Sequence, residues 1–189
     1  LGSAAAATPE APVVVPADYL PPLTGIFQVV QFSPQSPAQA ERGGRAIELV
    51  VLHALSGAAS ETLAGMTAMG AHFATHYYVS TAGVIYQLVD ERRAAWHAGI
   101  ATADGLWLNL NTVSIGVALE RPANWPAQPA GSTDAQLLAL RWLLQQLNQR
   151  YHLRPEALLL WSSLAGSDGS TLDGLPLAAL REEIGRAHV

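Results

Sequence analysis

The chain has no cysteine and no lysine anywhere in its 189 residues. Without cysteine there is no disulfide, no thiolate metal ligand and no thiol nucleophile, and the redox compartment leaves no mark. Without lysine there is no Schiff-base chemistry and no ammonium to clamp an oxyanion; all 10 basic side chains are arginine. Charge is sparse, at 13% of residues, and the net charge is −5. No basic stripe is present, so nucleic acid is not an expected partner. No apolar run approaches the ~20 residues that span a bilayer, so no transmembrane segment is expected. Internal repeats are missing, and so is a Gly-x-Ser-x-Gly elbow. Ser114 falls inside a strand pattern, a poor place for an exposed nucleophile, which sets a serine hydrolase aside.

Half of the residues are hydrophobic, enough for one packed domain. Leu1-Gly2-Ser3 reads as an appended remnant, and the stretch to about residue 22 is rich in Ala and Pro. Proline removes backbone donors and holds its neighbour extended, so residues 1–22 are expected to be a leader or linker and residues 23–189 the domain.

The domain is organised around Ile47 to His53, IELVVLH, a β-branched apolar run without helical period. It reads as a buried strand that ends on a histidine at the sheet rim. Ile26 to Phe32 reads as an edge strand, and Gln31 to Gly44 as a loop. Ser60 to Gly70 reads as a short helix capped by Ser60, with Leu63, Met66 and Thr67 on one face. His76–Val79 and Val84–Val89 flank Ser80-Thr81-Ala82-Gly83 and predict a hairpin. Ile100 to Leu110 reads as a loop. Val113 to Leu119, VSIGVAL, is a further buried strand whose Gly116 marks close approach of another group. Thr133-Asp134-Ala135-Gln136 predicts a capping box that opens a helix to about Arg150. Its apolar face carries Leu137, Leu138, Leu140, Leu144 and Leu147. Ala157 to Trp161 is a third strand and Leu177 to Ile184 a closing helix. The sum is an α/β domain with a mixed central sheet flanked by helices.

Six histidines stand out in a chain of this size. A hydrolytic zinc site takes three protein ligands, one open position for water and a carboxylate to move the proton. His53, His97 and Asp173 are eligible by type. His72 and His76 have the spacing of two ligands on one helix face, but His76 opens a strand, so the pair is not expected to share a helix.

The order LVVLHA, THYYVSTAGVIYQLVDERRAAWHAG, LNTVSIGVAL and LRPEALLLWSSLAG resembles the type 2 N-acetylmuramoyl-L-alanine amidases, the zinc enzymes that include AmpD-like and AmiD-like proteins and the peptidoglycan recognition proteins. The resemblance runs from about residue 45 to the C-terminus. It implies a mixed sheet flanked by helices and, in active members, cleavage of the amide between the lactyl group of N-acetylmuramic acid and L-alanine. The family's first zinc ligand falls on His53. Its second, in a Gly-His-Ser-Asp-like motif, falls on Trp161, and its third falls loosely on Asp173. The catalytic glutamate that follows Ser-Ile-Gly-Ile falls on Ala118, and the lysine near the third ligand has no counterpart. Glu120 shares a strand face with Ala118 but sits about 7 Å further along. His152 precedes the last strand and belongs at its wrong end.

Indole has no lone pair for zinc, and a methyl group carries no proton. No catalytic residue and no metal cofactor are therefore expected at these positions. His53, Tyr77, Trp96, His97 and Asn111 match the family's cleft and are the candidate ligand-binding residues, either as an open wall for glycan or stem peptide or as packed core, with the cleft plugged by Trp161. The resemblance implies an inactive amidase-like domain of the bacterial envelope, on the periplasmic side and tethered through its leader like a lipoprotein. It would bind peptidoglycan fragments or a cell-wall enzyme and so scaffold or regulate wall remodelling. The alternative is an active zinc amidase with a rebuilt site that uses His53, Asp173 and another histidine.

Overall fold

A computed structural model of the chain describes residues 19–25, 27–103, 106–121, 132–164, 172 and 174–186, with only the backbone of 101–103, 106 and 107. Most of the Ala/Pro-rich leader and the position of Asp173 lie outside the described residues.

In chain order the elements are β1 (Val29–Gln31), β2 (Gln39–Glu41), β3 (Leu49–Ser56), α1 (Ala59–Thr67), β4 (Tyr77–Val79), β5 (Ile85–Gln87), β6 (Arg93–Ala95), β7 (Ile100–Ala103), β8 (Leu106–Asn109), α2 (Leu110–Val113), β9 (Ser114–Arg121), α3 (Asp134–Tyr151), β10 (Leu158–Leu160) and α4 (Leu177–Arg186). Six strands form one sheet in the order β1-β5-β4-β9-β3-β10. Only the β4–β5 hairpin is antiparallel; the other neighbours are parallel. Two-stranded ribbons β2–β6 and β7–β8 lie beside it. This is the mixed sheet flanked by helices that the sequence pattern implies.

The pleat sorts the side chains. On one face Val50, Leu52, Val117 and Tyr77 pack under α3, whose Leu137, Leu140, Leu143, Leu144 and Leu147 are buried, with Leu180 and Ile184 of α4 alongside. Each buried leucine contributes roughly 1.5–3 kcal/mol of apolar transfer, which is why an apolar stripe along an 18-residue helix anchors this layer. On the other face Tyr78 and Ala118 meet Leu63 and Met66 of α1. Val51 on that same face meets Leu110 and Val113 of α2.

Several local expectations are corrected. β3 continues past His53 to Ser56, so His53 is the fifth of eight strand residues rather than a terminal one. The stretch read as a loop before Gly44 contains β2, and the stretch read as a loop between Ile100 and Leu110 contains β7 and β8. α1 starts from Ala58 with no side-chain cap, so Ser60 lies inside the helix. Thr133 does accept from the Gln136 N–H at 3.0 Å. The Gln136 side chain, however, does not return to Thr133; it donates to the carbonyls of Val79 and Glu120 instead.

Candidate functional site

The parallel register brings the decisive residues into one row. Leu160 of β10 pairs with Leu52 of β3, so Trp161 arrives beside His53. On the other side His53 pairs with Ala118 of β9, and Ala118 with Tyr78 of β4. The row on this face is therefore Trp161, His53, Ala118, Tyr78. The indole stacks on the imidazole of His53, with ring centroids 5.5 Å apart and planes inclined by 27°. Phe73 meets the same imidazole edge-on at 5.8 Å.

His97 lies across this row. Its ring rests on the backbone of Gly116, where a Cβ would come within 2.5 Å of His97 Cγ. The close approach that a glycine in mid-strand announces is the imidazole of His97. Ser114 Oγ donates to the Leu110 carbonyl at 2.5 Å and lies 3.0 Å from His97 Nε2. The hydroxyl proton is thus committed, and Ser114 accepts from His97 Nε2–H. His97 Nδ1 is then an acceptor, and His53 Nε2–H, at 3.0 Å, donates to it. A directed chain results: His53 to His97 to Ser114 to the Leu110 carbonyl. Both imidazoles are only 3% exposed. Burial first, then the neighbouring His53, His76 and Arg42, hold the pKa of His97 well below its ordinary value, so its ring is neutral.

The turn that carries His97 is fixed by Asn111, whose Oδ1 accepts from the backbone N–H groups of His97, Ala98 and Gly99 at 3.1, 2.8 and 2.9 Å. Asn111 therefore positions His97 rather than presenting this oxygen to a ligand. Trp96, 39% exposed, is the site residue that reaches the surface. Tyr77 is a correction: it lies with Val117 on the opposite, α3-facing side, and its hydroxyl donates to Glu91. Adjacent strand residues alternate faces, so Tyr77 and Tyr78 cannot both line this site.

His72 and His76 share no helix; both fall between α1 and β4. His76 is fully buried, accepts from the Gly116 N–H at Nδ1 and donates from Nε2 to the Arg93 carbonyl. Glu120 is engaged away from Ala118, accepting from the backbone N–H and hydroxyl of Thr81 at 2.7 and 3.0 Å. His152 caps the C-terminus of α3, ahead of β10 and at the end away from Trp161. Arg42, Phe73 and Ser114 complete the surroundings; no local pattern marks Arg42 or Phe73, since their partners are remote in sequence.

The described residues beside His53 do not by themselves make up the ligand set of a hydrolytic zinc. A catalytic zinc takes three ligands. The neighbours of His53 in the row are an indole and a methyl group, its Nε2 is directed at His97, and among the described residues no three His, Asp or Glu side chains converge.

Comparison with known proteins places the chain. The family model for N-acetylmuramoyl-L-alanine amidase matches residues 43–171. The chain belongs to this amidase family. It is 29% identical over 153 residues to N-acetylmuramoyl-L-alanine amidase AmiD of Escherichia coli, a match that covers 75% of this chain and 54% of AmiD. The chain thus spans about half the length of that relative. A solved complex of AmiD with anhydro-N-acetylmuramic acid-L-Ala-D-γ-Glu-L-Lys superposes with a TM-score of 0.54 at 30% identity, covering 70% of this chain and 53% of that one. AmpD shares the fold, with a TM-score of 0.64 at 22% identity over 85% of this chain and 96% of AmpD.

Proposed function

We propose that this domain is a non-hydrolytic member of the amidase family that binds peptidoglycan, or a protein of the cell wall, and thereby scaffolds or regulates wall remodelling in the bacterial envelope. The observation that supports this most directly is the row Trp161, His53, Ala118. The position beside the one surviving histidine holds an indole, and the position of the proton-transferring carboxylate holds a methyl group. Loss of general acid–base help alone costs ~10²–10⁴-fold in rate. The hydrogen bonds of His53, His97 and Ser114 form a buried chain in which His53 Nε2 is turned to His97.

The family supplies the ligand class: AmiD is captured with a muropeptide. On this reading the domain keeps recognition and has lost cleavage. Localisation follows from the same source, since peptidoglycan lies in the envelope; no helix among the described residues is long and apolar enough to cross a membrane, and tethering through the leader is part of the proposal.

Two measurements test it together. Elemental analysis of protein purified with zinc supplied is expected to give far less than one zinc per chain, and incubation with sacculi to release no stem peptide. Zinc near one per chain with peptide release abolished by His53→Ala overturns the reading in favour of a rebuilt amidase centred on His53 and Asp173. Sedimentation with sacculi then tests binding: enrichment over a control protein of similar charge supports peptidoglycan as the ligand, and its absence leaves a wall protein.

A further inference from the structure

We propose that peptidoglycan is held not at the former hydrolytic centre but in an arginine-walled groove at the opposite end of β3, with a stem-peptide carboxylate set against Arg45 and Arg92. This rests on the reading of the domain as a peptidoglycan binder and says where the ligand goes. The former centre offers little room, because His53 and His97 are each only 3% exposed and the indole of Trp161 covers His53. The groove, by contrast, is an open cavity of about 600 Å³ between the start of β3 and the end of α3.

Its charge is the argument for a carboxylate. Arg42, Arg45, Arg92 and Arg150 line it, against Glu41 and Glu91. Both carboxylates already have basic partners: Glu41, itself exposed, pairs with Arg93, and Glu91 accepts from Arg150, Tyr77 and Tyr151. Arg42 is buried with its donors on the carbonyls of Glu91, Asn111, Thr112 and Ser114 and makes no ion pair among the described residues. Its Nη2 also lies 2.8 Å from His76 Nε2, and Glu91 offsets part of its charge, so it adds a partly balanced positive charge to the groove wall. Arg45 is exposed and bonds to none of the described residues through its side chain. Among the described residues Arg92 is held only by Asp90, an ion pair with the arginine side chain 88% exposed; such surface pairs are worth ~0–1 kcal/mol and exchange readily for a ligand carboxylate. A guanidinium fork takes a carboxylate in two parallel hydrogen bonds.

The backbone keeps the wall low. Gly43 and Gly44 turn the chain at φ of +64° and +74°, and a Cβ at either would meet nothing within 4 Å. The groove is thus bordered by bare backbone on one side and by Tyr151 on the other.

The test uses the full chain and anhydro-N-acetylmuramic acid-L-Ala-D-γ-Glu-L-Lys, which has free carboxylates on its D-Glu and its C-terminal Lys. Arginine side-chain Nε–H resonances are followed by NMR during titration, and sedimentation with sacculi is run in parallel. Because Arg45 and Arg92 are exposed, the variant R45Q/R92Q is expected to melt as the parent does. The proposal expects shifts at Arg45 and Arg92, and at least ten-fold weaker binding of both muropeptide and sacculi by R45Q/R92Q. If the parent pellets with sacculi and R45Q/R92Q pellets equally, or if the shifts centre on the Trp96 indole, the groove is overturned and the binding function stands. A parent that neither shifts nor pellets overturns the groove together with peptidoglycan as the ligand, and leaves the domain as a binder of a wall protein.

Discussion

At the scale of single residues, the site is a set of close fits that leave no slack. Gly116 is the clearest. Its hypothetical Cβ meets His97 Cγ, Nδ1 and Cδ2 at 2.5, 2.7 and 2.8 Å, and that imidazole is bonded at both nitrogens, so it cannot step aside. Gly116→Ala is expected to cost about 1–3 kcal/mol in urea unfolding, the usual range for overpacking a core. His76 carries a second prediction. Burial first, and the adjacent Arg42 guanidinium as well, pull its pKa down to about 3, although the Arg93 carbonyl acts the other way. The unfolded chain takes up this proton near pH 6.5, whereas the folded chain resists it down to about pH 3. Below pH 6.5 the unfolded state therefore binds more protons, and this contribution to stability is lost as pH falls. His76→Asn is expected to flatten the pH dependence of unfolding free energy between pH 6 and 5 by about 1.4 kcal/mol per pH unit. Trp161 carries a third. Trp161→His puts a second imidazole next to His53, with Asp173 as the third ligand that the family resemblance implies, and elemental analysis is expected to find zinc retained by this variant and not by the parent; retention by neither means that the register of β10 alone does not assemble a site.

At the scale of elements, Gln136 decides how α3 meets the sheet. Fully buried, it donates from Nε2 to the carbonyls of Val79 on β4 and Glu120 on β9, both at 3.0 Å. Gln136→Leu keeps the bulk but leaves two buried acceptors without their donor, at roughly 1–3 kcal/mol each. A larger loss of stability than that of Thr133→Ala, which removes a cap worth about 1 kcal/mol and an exposed hydrogen bond to the Thr81 carbonyl, is expected in thermal unfolding. The same residue shows what a sequence pattern can carry. Thr133 and Gln136 have capping-box spacing, and the threonine half of the box forms because it is local. The glutamine half does not, since a tertiary partner outbids the helix end. Long elements with their own periodicity, such as β3, β9 and α3, were legible from residue order, and so was the short β4–β5 hairpin, because its two strands are joined by a local turn. β2, β6 and the β7–β8 ribbon were not: they are three or four residues long and, for β2 and β6, pair across more than fifty positions. The row Trp161, His53, Ala118 was legible through motif order, because register follows once three parallel strands are named. Tyr77 was misplaced because motif order does not say on which side of the pleat a strand residue points.

At the scale of the whole molecule, one buried arginine ties together parts that contact order leaves far apart. Arg42 leaves β2 and sends Nε to the Glu91 carbonyl, one terminal nitrogen to the carbonyls of Asn111 and Thr112, and the other to that of Ser114. It so joins the β2–β6 ribbon, α2 and the start of β9, segments 49 to 72 positions away in the chain. Burial pulls its pKa down from the ordinary value, with Tyr151 and Glu91 opposing; an arginine this basic still keeps its charge. A charge buried on carbonyl oxygens is stable only while the fork reaches all of them. Arg42→Met removes the charge and the donors together and orphans these carbonyls, each at roughly 1–3 kcal/mol. The sum takes a large share of the ~5–15 kcal/mol that holds a domain of this kind folded. Arg42→Lys keeps a charge and three donors, but they radiate from a single nitrogen and cannot span the same carbonyls. Urea unfolding is therefore expected to rank the proteins parent, Arg42→Lys, Arg42→Met, with the last partly unfolded before urea is added. If Lys restores full stability, the charge and not the fork is what counts, and the strut is electrostatic. If Met and Lys both unfold in two steps, with the β2–β6 ribbon lost first, Arg42 fastens that ribbon to a sheet that stands without it. A single weakened transition in both variants means that ribbon, helix α2 and sheet unfold as one body.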